Sequence, residues 1–131
     1  MKPIKLLVCG GRDFNDQRYV SQKLDQVCQE RGWWGEYGPI SSPVPLCLIH
    51  GGARGADMCA DYWGTADYLV IQVFPANWDK YGKAAGYIRN KEMLDQHPDL
   101  VVAFPGGKGT AMMVDIATKA GVEVVVFDGH L

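Results

Sequence analysis

Five short apolar runs alternate along the chain with four stretches of helical periodicity, and this alternation constrains the fold more than any other feature. Lys5 to Cys9, Leu46 to His50, Tyr68 to Phe74, Leu100 to Phe104 and Val122 to Phe127 are rich in Val, Leu, Ile and aromatics. Most end at glycine or proline, the pattern of strands buried on both faces. Between them, Gln17 to Arg31, Ala56 to Ala66, Ala84 to Gln96 and Thr110 to Ala120 read as helices. The first carries Tyr19, Val20, Leu24, Val27 and Cys28 at spacings that trace one helical face. Parallel strands need crossover connections, so the alternation implies an α/β fold, a parallel sheet of about five strands between two helical layers.

A chain of 131 residues is expected to form one domain over 1–131. Residues 32–45, with Trp33, Trp34, Tyr37 and three prolines, break the rhythm and read as an inserted loop. Trp33 and Trp34 are expected to pack on the end of the first helix; a dimer or ligand contact is the alternative. Lysine and arginine number 13 against 15 aspartates and glutamates, a net charge of −2, so no global basic field exists to hold nucleic acid. No apolar run approaches the roughly 20 residues that span a bilayer. The four cysteines, Cys9, Cys28, Cys47 and Cys59, lack C-x-x-C spacing and lie in apolar segments, as buried thiols of a cytoplasmic protein would. No spacing calls for a metal or a cofactor.

Glycines fall where strands end. Gly10-Gly11-Arg12-Asp13 follows the first strand, Gly51-Gly52-Ala53-Arg54-Gly55-Ala56-Asp57 the second, and Pro105-Gly106-Gly107-Lys108-Gly109-Thr110 the fourth. In a parallel sheet these loops share the carboxyl edge, where ligands bind. Glycine lets backbone N–H groups approach an anion, and a following helix adds its positive end, so converging loops suit phosphate. Walker A is absent, because Gly107-Lys108 is followed by Gly109; the dinucleotide pattern fails because Gly10-Gly11 leads to Arg12. Arg12, Arg54 and Arg89 are the candidate anion partners, Trp78 or Tyr81 a stacking platform for a base, and Asn90 a brace or base contact. Asn90 is expected to share a helical face with Gly86, Tyr87, Met93 and Leu94.

The Val8 to Phe14, His50 to Asp57, Gly86 to Asn90 and Pro105 to Thr110 motifs together resemble the YspA-like branch of the SLOG superfamily. The resemblance implies a Rossmann-like fold with strand order 3-2-1-4-5, a nucleotide, NAD-derived or other nucleotide-derived ligand, and a homodimer or higher oligomer. Relatives include LOG-type phosphoribohydrolases and the DNA-processing protein DprA. The hydrolases carry P-G-G-x-G-T-x-x-E with a catalytic glutamate, whereas Met113 takes that place here. The resemblance therefore implies a binder, sensor or sequestering module, the alternative being a nucleotide N-glycosidic hydrolase using Asp13, Asp57 or Asp79. Asp57 equally suits the charge balance of a helix start, and Asp115 a surface pair with Lys119.

Overall fold

The computed structural model describes residues 2–39 and 45–130; residues 40–44 of the expected inserted loop, and residues 1 and 131 of the expected domain, lie outside the described residues. The elements run β1 (Ile4–Cys9), α1 (Gln17–Glu30), β2 (Leu46–His50), α2 (Ala56–Ala66), β3 (Val70–Val73), α3 (Trp78–Tyr81), α4 (Ala85–Leu94), β4 (Leu100–Ala103), α5 (Lys108–Lys119) and β5 (Val124–Val126). All strand pairings are parallel, in the order β3-β2-β1-β4-β5. This is the α/β, Rossmann-like architecture and the strand order expected from the sequence.

Alternation along the central strand builds the layers. Leu6 and Val8 face one core cluster with Leu24 of α1, Ala60 and Trp63 of α2, and Phe104. Leu7 and Cys9 face a second cluster with Met93 of α4 and Met113 and Ala117 of α5. Asp16 caps α1, its carboxylate accepting the Tyr19 N–H at 3.1 Å, which satisfies one of the helix's orphan donors. The buried face of α1 consists of Tyr19, Val20, Leu24, Val27 and Cys28, as the periodicity predicts. Trp34 is buried and stacks on Trp63 with ring centroids 5.3 Å apart, and the Trp33 and Trp34 N–H groups both donate to the Cys28 carbonyl at the end of α1. These two tryptophans therefore close the first helix.

Two expectations are corrected. The third and fifth strands are not buried on both faces: Val70 and Val126 are 65% and 63% exposed, because β3 and β5 occupy the sheet edges. Tyr68 belongs to no strand; it takes a positive φ of 58° after α2, and its side chain is exposed. There it and its neighbours end the helix, Leu69 N–H donating to the Gly64 carbonyl at 2.9 Å, in the manner of a left-handed C-terminal cap.

The carboxyl edge is fastened by backbone contacts. Gly11 N–H donates to the Pro105 carbonyl at 2.8 Å, and its own carbonyl accepts Ala56 N–H at 3.1 Å. A Cβ on Gly10 would lie 2.5 Å from the Ala56 Cβ and 3.0 Å from the Phe104 Cβ, and one on Gly11 would lie 2.9 Å from the Gly106 Cα. Gly109 has nothing within 4 Å of such a position and lies within α5. Gly10→Ala is therefore expected to lower the unfolding free energy by about 1–3 kcal/mol. Gly109→Ala should leave it unchanged or raise it by up to about 1 kcal/mol. Urea denaturation of the two variants checks the contrast.

Candidate functional site

A cleft of about 390 Å³ opens above the carboxyl edge of β1 and β4. Gly10, Gly11 and Arg12 form one side, and Gly107, Gly109 and Thr110 at the start of α5 form another. Trp78, Gly86, Arg89 and Asn90 face them from the α3–α4 segment, with Asp57 and Ala53 at the start of α2. The floor is Cys9 and Met93.

The start of α5 presents backbone donors, since the first turn of a helix has no internal partners for its N–H groups. Gly107 is the N-cap and makes no side-chain cap bond. Neither Gly107 nor Gly109 has anything within 4 Å of a Cβ position, so the protein's own packing does not require glycine at either. The space on the Cβ side of both residues is open.

Arg89 is held rather than free. Its Nη1 donates to the Gly51 carbonyl and its Nε to Asn90 Oδ1, each at 3.0 Å. Asn90 is 4% exposed and completes the chain by donating through Nδ2 to the Gly109 carbonyl at 3.2 Å. It also approaches Met112 Sδ at 3.8 Å. One buried amide thus connects the second glycine loop, α4 and α5, the bracing role among those expected for Asn90. Its helical face includes Met93 and Leu94, but Tyr87 is 53% exposed and does not share it. Phase does not separate them, since Tyr87 and Met93 both lie three residues from Asn90; position along the axis does, Tyr87 being in the first turn of α4 and Met93 near its end.

Asp57 is the carboxylate that lines the cleft among the described residues. It is 6% exposed and accepts the Ala53 N–H at 3.2 Å. Burial pushes its carboxyl above the ordinary value, opposed by the N–H groups of Ala53 and Gly51 and by His50 and Arg89. Asp57 therefore contributes most to stability below the ordinary carboxylate pKa, and that share is lost as pH rises through its raised value. The same burial lowers Arg89, partly offset by Asp57. Cys9 is pushed up to about 12, first by burial and then by the Asp57 charge, so its thiol stays protonated and is no nucleophile at neutral pH.

The other candidate residues divide by position. Arg12 lies over the Trp78 ring at 5.7 Å. Gly51, Gly52 and Arg54 line an adjoining cavity, and Arg54 is paired with Asp13 at 3.1 Å. Pro105 and Gly106 face a separate, apolar hollow beside β5. Gly55 lines none of these; with a φ of +81° it packs against the Gly11 and Arg12 carbonyls. Tyr81 and Asp79 lie outside the cleft lining, and Asp115 pairs with Lys119 at 3.0 Å. Sequence reasoning missed Cys9, Ala53 and Met93 as lining, because ordinary apolar residues give no local signal of facing a cleft. It also missed His50 as a support: the 1%-exposed ring accepts the Gly52 N–H at Nδ1 (2.9 Å). That acceptor role leaves Nε2–H to donate to Asp61 Oδ2 at 2.7 Å.

A family profile described as the YspA, cpYpsA-related SLOG family matches residues 4–81. A relative, the gene 61 protein of Mycobacterium phage D29, is 40% identical over 130 residues, covering 94% of this chain and 95% of that protein. The chain belongs to the YspA, cpYpsA-related SLOG family. A solved structure, the Moco carrier protein from Chlamydomonas reinhardtii, shares the fold of this SLOG chain with a TM-score of 0.57 and 18% identity, over 96% of this chain and 76% of that one.

Within this SLOG chain Met113 does not reach the cleft. It is fully buried among Leu7, Cys9, Ile49, Met93 and Ala103. Its spacing of four from Gly109 sets it one turn deeper along the same side of α5. Met113→Glu is therefore expected to bury a carboxyl in an apolar cluster and lower stability by about 3 kcal/mol at pH 7.5. Its folded pKa would be raised, so the loss should shrink as pH falls through that value. Urea titrations at pH 7.5 and pH 5 check both the size and the sign.

Proposed function

We propose that this protein binds a nucleotide or nucleotide-derived small molecule in the cleft and holds it without breaking a bond. The observation that carries the reading is the open space beside Gly107 and Gly109 at the α5 N-terminus, in a cleft that Arg12, Arg89 and Trp78 also line. Backbone N–H groups and the positive helix end favour a phosphoryl group, and the guanidinium groups neutralise its charge. The exposed face of Trp78 offers a surface on which a base can stack. A volume of about 390 Å³ suits a ligand of nucleotide size.

The carboxylates support holding rather than hydrolysis. Asp13 is exposed and lies outside the cleft lining, and Asp57 is fixed by the backbone of its own loop. A sensor or sequestering role fits a site that grips an anion and offers no mobile general base. The second reading, hydrolysis of a nucleotide N-glycosidic bond, rests on Asp57, which lines the cleft and whose carboxyl burial pushes above its ordinary value.

Gly107→Asp tests the binding reading. Aspartate is a favoured N-cap, so the fold should persist by circular dichroism, while bulk and a like charge fill the phosphate position. Calorimetric binding of nucleoside monophosphates should fall at least about tenfold, equivalent to roughly 1.4 kcal/mol. Unchanged affinity in the folded variant would remove phosphate from α5. Native mass spectrometry of freshly purified protein is expected to show a retained nucleotide and reads the subunit number in the same spectrum.

Chromatography separates the two chemistries. The protein incubated with nucleoside monophosphates or NAD should release no free base above a no-protein control. Robust release, abolished by Asp57→Asn, would replace the binder with a hydrolase.

A further inference from the structure

Beside the cleft lies a second cavity of about 330 Å³, and the two share Arg12, Ala53, Trp78 and Arg89 as a common wall. The linings differ in charge. The first includes the Asp57 carboxylate, whereas the second is bounded by Arg12, Arg54 and Arg89 with no acidic side chain in its lining. Three guanidinium groups around so small a volume repel one another, an arrangement that an anion between them relieves.

Each arginine retains capacity for such a group. Arg12 donates no hydrogen bond to any described residue and is placed only over Trp78. Arg89 uses Nε and Nη1 on Asn90 and Gly51, which orients its fork and leaves Nη2 without a hydrogen bond to a described residue. Arg54 is engaged by Asp13, but the two side chains are 73% and 93% exposed. An ion pair so open to water contributes little and gives way readily to a better-placed anion.

Backbone donors are scarce in this cavity, in contrast to the first. The Gly52 N–H is already committed to His50 Nδ1, and Pro75 has none. Selection here is by guanidinium charge and geometry. Gly51 keeps the passage beside Arg89 clear, since a Cβ there would collide with the Arg89 guanidinium.

Resting on the nucleotide-binding reading above, we infer that the site is bipartite and that its ligand is a nucleotide with two separated phosphoryl groups. One sits at the start of α5 and the other in the cavity bounded by Arg12, Arg54 and Arg89. The ribose and base span the shared wall, against Trp78.

Calorimetry with the full chain at fixed salt tests this. The probes are a nucleoside 5′-monophosphate, the 5′-diphosphate and the 3′,5′-bisphosphate, each in an adenine and a guanine series. The diphosphate controls for added charge without separation. In at least one series, the bisphosphate should bind at least tenfold more tightly than the monophosphate and more tightly than the diphosphate. Arg54→Ala should cut the bisphosphate-to-monophosphate preference at least fivefold, and Asp13→Asn, which releases Arg54, should increase it. If monophosphate binds but the bisphosphate has no advantage, or Arg54→Ala leaves the preference intact, the bipartite site is overturned while the nucleotide reading stands. If no probe binds in either series, the nucleotide reading itself fails and the bipartite site with it.

Discussion

The close approach of three backbone loops at the end of the central strand is the constraint on which the rest of the structure depends. Gly11 donates to Pro105 and accepts from Ala56, so β1, the β4 loop and the start of α2 are tied through one residue. That junction is possible only with no side chains in the way: Gly10 meets Ala56 and Phe104, and Gly11 meets Gly106. Because β1 is the middle strand of the β3-β2-β1-β4-β5 order, the chain enters α2 on one side and the α5 loop on the other. The cleft is the space left above this knot of backbone.

Charge within the cleft is organised around burial. Asp57 and Arg89 are each pushed toward neutrality by loss of water, and each partly restores the other. Both are already engaged by the protein: Asp57 secures the Ala53 amide, and Arg89 secures Gly51 and Asn90 through Nη1 and Nε. Their interactions hold the second glycine loop against α4, and Asn90 passes that constraint to α5 through the Gly109 carbonyl. Such preorganisation reduces the ordering cost of binding, since the donors do not have to be gathered when a ligand arrives.

The architecture was legible because hydrophobic periodicity and turn residues are local signals. Leu46 to His50 and the buried face of α1 depend on spacing alone. Exposure of Val70 and Val126 is not local; it depends on which strands end the sheet, and an apolar edge strand reads like a central one. Met113 shows the same limit. A motif position can be aligned residue by residue, but whether its side chain reaches a cleft depends on where the core begins beneath the first turn of α5. The arginines illustrate the converse: their charge is visible in the chain, yet only the fold commits Arg89 inward and pairs Arg54 with Asp13.

The glycines carry the final step. In the sequence Gly10, Gly11, Gly106, Gly107 and Gly109 belong to two similar loops, and a single explanation, tight turning, would cover them all. The structure separates them by what a Cβ would meet. At Gly10, Gly11 and Gly106 it would meet the protein itself, so their small size is a condition of folding. At Gly107 and Gly109 it would meet nothing within 4 Å; Gly107 is the N-cap, a position that suits glycine, whereas Gly109 lies within α5, where glycine costs up to about 1 kcal/mol relative to alanine. A bare backbone kept at that cost at Gly109, in a cleft that Arg12 and Arg89 also line, fits the approach of a small molecule from outside the chain. At Gly107 and Gly109 the fold therefore leaves room beside the cleft, whereas the glycines of the first loop are required by the fold itself.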